Sequence, residues 1–334
     1  MSTSKPEVVV VTGASAGVGR AVVRRFASEG AHIGMIARGL DRLEAARNEV
    51  EQMGGRALVL QADVSDAAAV EHAAARTEEE FGPIDVWVNN ATVTVFSPVK
   101  DMLPEEYRRV TEVTYLGCVN GTLAALRRML PRDRGAIVQV GSALAFRSIP
   151  LQSAYCAAKH AIQGFTESLR TELLHDNSNV YVTIVHLPAM NTPQFSWNKV
   201  KMGRQPQPVP PIYQPEIAAD AIYYMAHHRR REMVVGYPTL EAIYGNRIAP
   251  GYLDHRLART GYESQMTEER IPPDRPDNLW KPVPGNFGAH GIFDERSRSF
   301  SPQYWVDKHR ALVALGAAVI TGAGVYASRM AKAA

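Results

Sequence analysis

The sequence is poor in cysteine, in excess charge of either sign and in long basic runs, and each shortage removes a class of protein. Its 334 residues include two cysteines, Cys118 and Cys156. They cannot build a disulfide framework and lack the paired spacing of a zinc site, so both read as core residues of a protein in a reducing compartment. No metal site is expected. His227-His228 is a poor metal pair, because neighbours on a helix diverge, and His186 reads as a core histidine. The net charge is +3, and the densest basic run is the three residues Arg229-Arg230-Arg231. That run reads as a solvated helix end, and no nucleic-acid partner is expected. Residues 1–7 are short and polar, without the pattern of a signal peptide; a cytoplasmic setting is expected. Internal repeats are lacking too.

What is present is an ordinary globular composition, 46% hydrophobic and 21% charged, arranged in an alternating pattern. Val/Ile-rich runs at 8–12, 32–37, 57–61, 84–89, 136–141, 180–187 and 232–236 read as strands buried on both faces. Helical patterns fill 18–29, 40–54, 66–82, 104–130, 153–175 and 215–228. Strands alternating with helices predict an α/β fold, a doubly wound parallel seven-stranded sheet of the Rossmann type, with an extended C-terminal appendage. Residues 1–240 read as a dinucleotide-binding and catalytic domain and 241–310 as a C-terminal extension. Residues 195–215 are Pro-rich and aperiodic, and read as a lid beside the active site. A helix is expected over 240–258. Residues 263–301 read as extended, packed on the body through Trp280, Phe287 and Phe293.

Residues 311–328 carry no charged side chain over 18 residues, with basic residues on both flanks. That length is the lower edge for a membrane span. A possible membrane anchor is one reading, and a helix packed on the body or on a partner subunit is the other.

Between the first strand and first helix lies Thr12-Gly13-Ala14-Ser15-Ala16-Gly17-Val18-Gly19. Gly13 permits a tight turn, Gly17 a close approach to a pyrophosphate, and Gly19 close helix–strand packing, while the helix offers unpaired N–H groups to phosphate. The second strand ends at Arg38 rather than at a carboxylate, which favours the 2′-phosphate of NADP(H) over NAD; a solvated arginine is the plain alternative. Asp63-Val64 follows the third strand, where the carboxylate could accept from an adenine amino group or simply cap a turn. Asn89-Asn90-Ala91 ends the fourth strand at the same crevice.

Tyr155 and Lys159 are one turn apart on a helix and share a face. An ammonium beside a phenol favours the phenolate and would lower its pKa, making Tyr155 a general acid or base. Ser142, after the fifth strand, faces the same crevice. Cys156 lies one position further round and reads as packing.

Taken together, these elements resemble the classical short-chain dehydrogenase/reductase family over roughly residues 7–240. The resemblance implies that Ser142 orients the substrate oxygen and that Tyr155 exchanges a proton with it. Lys159 would lower the Tyr155 pKa and hold the nicotinamide ribose. Thr192 would contact the carboxamide, in the loop opened by Pro188, and a hydride would pass between nicotinamide and a carbinol or carbonyl carbon. Three positions depart from the family pattern: Thr92 and Ala189 replace glycines, and Thr114 takes the place of a catalytic Asn whose backbone carbonyl helps hold a relay water. The fourth and fifth helices resemble those through which the family forms dimers or tetramers. A pocket of 142–144, Gln152, 189–191, Phe195 and Trp197 is largely apolar, with no Arg or Lys aimed at a carboxylate. A neutral, apolar ketone or secondary alcohol is the expected small-molecule substrate. The competing function is a dinucleotide-binding scaffold or redox-responsive interaction protein that has lost catalysis, a reading favoured by Thr114 and the unusual C-terminal third.

Overall fold

The computed structural model of the protein describes residues 5–315. Seven strands make one sheet: β1 (Val8–Thr12), β2 (His32–Ala37), β3 (Arg56–Gln61), β4 (Val86–Asn89), β5 (Ala136–Ser142), β6 (Tyr181–Leu187) and β7 (Glu232–Val234). Their order is β3-β2-β1-β4-β5-β6-β7, parallel throughout. The predicted sheet is therefore present, with strand ends moved by a residue or two. All five residues of β1 are buried, as a strand covered on both faces requires.

Helices α1 (Gly17–Ala27), α2 (Leu40–Gln52), α3 (Ala67–Phe81), α4 (Pro104–Val110), α5 (Gly117–Met129), α6 (Ser153–His175), α7 (Gln194–Trp197) and α8 (Pro215–His227) follow in chain order. On one face Phe26, Leu43, Ile222 and Met225 pack on Val9, Val11 and Val185. On the other, Ala74, Ala125, Leu169 and Leu173 pack around Trp87. Each Phe, Leu, Ile, Met or Val among them contributes about 1.5–3 kcal/mol by leaving water, and each Ala less. The chain reverses direction across the sheet between β1 and β4, which opens a crevice at their carboxyl ends.

Two predicted helices are interrupted. The stretch expected over 104–130 carries a π-helical turn, Thr111–Leu116, between α4 and α5. Within it the Thr114 hydroxyl accepts from the Val93 amide and donates to the Val93 carbonyl, both at 3.2 Å, tying the wide turn to the loop after β4. The stretch expected over 240–258 is two helices, α9 (Tyr237–Ile248) and α10 (Pro250–Thr260). Pro250 has no N–H to continue the ladder and pushes Ala249 off helical geometry, to φ −141° and ψ 58°.

The region 195–215 is built rather than loose. Lys199–Val200 pairs with Val95–Phe96, and Arg204–Pro206 pairs with Met266–Arg270. The extension adds a third small pairing, Ser297–Arg298 on Ile212–Tyr213. Phe293 is buried as expected, but Trp280 is 49% exposed; the body holds it by its carbonyl, which accepts from Arg38, and by the Arg109 guanidinium over its ring, and the buried anchor is the neighbouring Leu279.

The expectation of membrane association through 311–328 is corrected. Among the described residues, no helix is long and apolar enough to cross a membrane. Residues 316–328 of that stretch lie outside them.

Candidate active site

The glycine turn sits at the head of the crevice. Gly17 has φ +58°, a conformation that L side chains rarely adopt, and a Cβ on Gly19 would lie 2.1 Å from the Gly13 carbonyl oxygen. The close approach of helix and strand therefore requires glycine there. Gly13 donates to the Ile36 carbonyl at 2.8 Å, and Asn90 Nδ2 donates to the Thr12 carbonyl at 3.0 Å, so the turn is clamped from both sides. A further support was invisible in the motif. Fully buried Arg20 donates to the carbonyls of Ser15 (3.2 Å) and Arg42 (2.9 Å) and to Glu49 (2.8 Å).

A single cleft of about 900 Å³ runs from this turn past the ends of the strands. Gly13, Ser15, Gly17, Val18, Arg38, Asp63, Val64, Asn90, Ser142, Tyr155, Lys159, Pro188 and Thr192 all line it. Gly19 and Thr114 do not. Gly19 is spent on helix packing, and the Thr114 hydroxyl turns to Val93 and to Thr92, 3.2 Å away. Asn191, expected in the pocket, is buried elsewhere: it accepts from the Phe293 amide and donates to Gln214 and Asp294.

Two charged residues at the far end of the cleft are engaged by the protein itself: Asp63 caps a turn, the plainer of its two expected roles, and Arg38 is neither solvated nor facing open cleft. Asp63 accepts from the Ser65 amide and hydroxyl on one oxygen and from Arg109 on the other. Burial works to raise its pKa, but these donors, Arg109 foremost, outweigh burial and hold it below the usual carboxylate range. Arg109 was missed in the sequence because it stands on α4, far along the chain, and no local pattern marks it. Arg38 donates to the carbonyls of Asn278, Leu279 and Trp280 in the extension. Burial lowers its pKa, with Asp63 acting against that.

At the other end Lys159 is buried and donates to the Val140 carbonyl at 2.7 Å, with its nitrogen 5.4 Å from the centre of the Tyr155 ring. Burial lowers its pKa to about 8. Tyr155 does not follow the expected depression. Burial raises its pKa, and the hydrogen bond from Ser142 only partly offsets this. Desolvation of the phenolate is the larger effect here, and the phenol stays protonated at neutral pH. The residues fit a nicotinamide dinucleotide on one further observation: Thr192 Oγ1 is buried without a hydrogen-bond partner, beside Gly17, where a carboxamide could satisfy it.

The cleft also has arginines that the sequence reading did not place there, Arg42, Arg147, Arg256 and Arg298. Arg147 is paired with Asp254 at 2.6 Å and Arg256 with Glu241 at 2.9 Å. Arg42 lies over the Trp197 ring. Cys118 and Cys156 are buried and free. His186 is buried, its Nε2 3.5 Å from Glu232. Among the described residues there is no cluster of His, Cys, Asp or Glu able to hold a metal.

A parallel sheet in this order, a glycine turn into α1 and a Tyr–Lys pair in one cleft define a Rossmann-type oxidoreductase that works with a nicotinamide dinucleotide. The chain belongs to the short chain dehydrogenase family, whose model matches residues 7–201. It is 31% identical over 326 residues, 97% of this chain and 90% of the other, to an uncharacterized oxidoreductase, YxnA, of Bacillus subtilis. It is 28% identical to a fatty acyl-CoA reductase of Acinetobacter baylyi, over 72% of this chain and 79% of that one. Among solved structures it resembles a metagenomic short-chain oxidoreductase in complex with NADP (27% identity, TM-score 0.59, covering 70% of this chain and 98% of the other). An alcohol dehydrogenase of the archaeon Thermococcus sibiricus, complexed with 5-hydroxy-NADP, is similar at 26% identity and TM-score 0.59, covering 69% and 95%.

Proposed function

We propose that the protein is an NADP(H)-dependent carbonyl reductase or alcohol dehydrogenase acting on a neutral, apolar ketone or secondary alcohol, with Tyr155 as general acid and base. The observation that carries this reading is the convergence of Ser142, Tyr155 and Lys159 on the cleft that also holds the glycine turn. The dinucleotide supplies the hydride. Gly13, Ser15, Gly17, Val18 and Gly19 form the turn for its pyrophosphate, Arg38 its 2′-phosphate site, Asp63, Val64 and Asn90 the walls of its adenosine end, and Pro188 and Thr192 the nicotinamide end. Ser142 donates to the substrate oxygen. Tyr155, kept protonated by burial, gives that oxygen a proton during reduction and takes it back in the reverse direction. Lys159 holds the ribose and keeps a positive charge beside the phenol. Thr114 positions the loop after β4 through its hydroxyl, and holding a relay water falls to its backbone carbonyl.

Several observations support the finer choices. Val93, Leu144, Ile149, Met190, Phe195 and Leu257 line the substrate end, and Arg147 and Arg256 are each paired with a carboxylate. Two similar solved structures carry NADP or its 5-hydroxy form. Leu116, Leu123 and Leu130, seven residues apart and 42–44% exposed, form an apolar stripe along α5 and the turns that flank it, suited to pairing with a second copy, as a homodimer or a half of a homotetramer.

The test is NADPH and NADH consumption with a panel of long-chain and cyclic ketones, compared with small charged oxo-acids. Tyr155→Phe should lower turnover by about 10²–10⁴-fold while leaving dinucleotide binding in place. Dinucleotide binding without any turnover that depends on Tyr155 would instead favour the scaffold reading, for which Thr114 in the place of Asn is the motive.

A further inference from the structure

The C-terminal segment crosses the dinucleotide cleft. Asn278 donates from its amide to the Trp197 carbonyl at 2.9 Å, and the carbonyls of 278, 279 and 280 surround the Arg38 guanidinium. The Gly285 amide donates to Asp41 at 2.8 Å. Phe287 packs edge-on against Trp197, ring centres 4.6 Å apart, with the Arg42 guanidinium over both rings. The Gly288 carbonyl accepts from the Gly17 amide at 3.0 Å, and Gly291 donates to the Asn191 carbonyl at 3.3 Å. Arg38, Asp41 and Arg42 stand at the adenosine end and Gly17 opens α1, so the segment spans the cleft from ribose to pyrophosphate.

Its ends and its middle differ. Leu279 and Ala289 are buried, whereas Lys281, Pro284, Gly285 and Asn286 are exposed. A span fixed at both ends and held in the middle by few contacts can open without disturbing the core beneath. Asn278 and Pro282 also line the cleft, so the cavity continues under the span. The Gly17 amide belongs to the first turn of α1, among the unpaired donors that would face a phosphate; the Gly288 carbonyl now occupies it.

We propose that residues 278–291 form a latched strap over the dinucleotide, so that cofactor enters and leaves only when the span between Trp280 and Ala289 lifts. Phe287 on Trp197 and Gly285 on Asp41 are the latch. Trp197 also belongs to the segment that walls the substrate end, so the latch joins the two binding regions. The inference rests on the dinucleotide reading above.

The experiment is stopped-flow measurement of NADPH and NADH association and dissociation with the full chain, for wild type, Phe287→Ala and Asp41→Ala. Phe287 is half-buried and Asp41 exposed, and melting temperatures confirm that each variant folds. The strap predicts that both variants release and take up the dinucleotide at least about tenfold faster than wild type, one latch contact being of the order of 1.4 kcal/mol. Rates unchanged in both variants overturn the strap alone. Failure of wild type to bind either dinucleotide overturns the cofactor reading and the strap with it.

Discussion

The sheet region and the C-terminal third are held together by different physics. In residues 7–240, order comes from repetition: apolar runs bury on both faces of a sheet, and helices return the chain between them. In the extension, described to residue 315, α9 and α10 bury little and the rest is fixed by scattered contacts. A leucine goes into the body, a carbonyl meets Arg38, an amide meets Asp41. The first kind of order builds a crevice and the second roofs it. The lesson is that a segment without periodicity can still be specified, provided the body offers buried donors and acceptors for it.

Three measurements sharpen that contrast. The largest effect is expected at Leu279, which is fully buried in the core and whose carbonyl accepts from Arg109 of α4. Leu279→Ala should cost about 2–4 kcal/mol in urea unfolding; a cost under about 0.5 kcal/mol would mean that the extension merely rests on the body. Next is Glu49, which pairs with Arg20 and Arg24. Burial opposes ionisation, but the two guanidinium groups outweigh it and pull the Glu49 pKa down to about 2 from 4.5. A depressed carboxylate contributes stability that is complete above its unfolded pKa and is lost as pH falls from about 4.5 towards 2. Glu49→Gln should therefore cost about 2 kcal/mol at pH 7, because it strands buried Arg20, with the difference from wild type closing in acid. The smallest effect concerns Lys159. Its pKa is lowered to about 8 by burial, so its charge is present below that pH and lost above it. A falling limb in kcat/KM near pH 8 is expected, of about tenfold per pH unit, and Lys159→Arg should remove the limb because arginine keeps its charge. Persistence of the limb in that variant would assign it to another group.

The sheet and the cleft residues were legible because their signals are local. Gly13, Gly17 and Gly19 fall in one turn, and Tyr155 and Lys159 share one helical face. What escaped was set by distance. Arg109 reaches Asp63 from another helix, Arg20 supports Ser15 from inside α1, and Arg38 meets carbonyls some 240 residues away. Helix continuity was misjudged where side chains or proline intervene, at Thr114 and Pro250. The Tyr155 pKa moved against expectation because burial of the phenol outweighs its neighbours, and pattern reading registers neighbours but not depth.

Thr92 stands beside the cleft where a glycine is usual, and its hydroxyl points to that of Thr114. Thr114 has one proton, and the Val93 carbonyl takes it. The proton between the two threonines must then come from Thr92. Its oxygen is left with only lone pairs to offer the cleft, so whatever molecule settles against that wall meets an acceptor and is selected for a donor of its own.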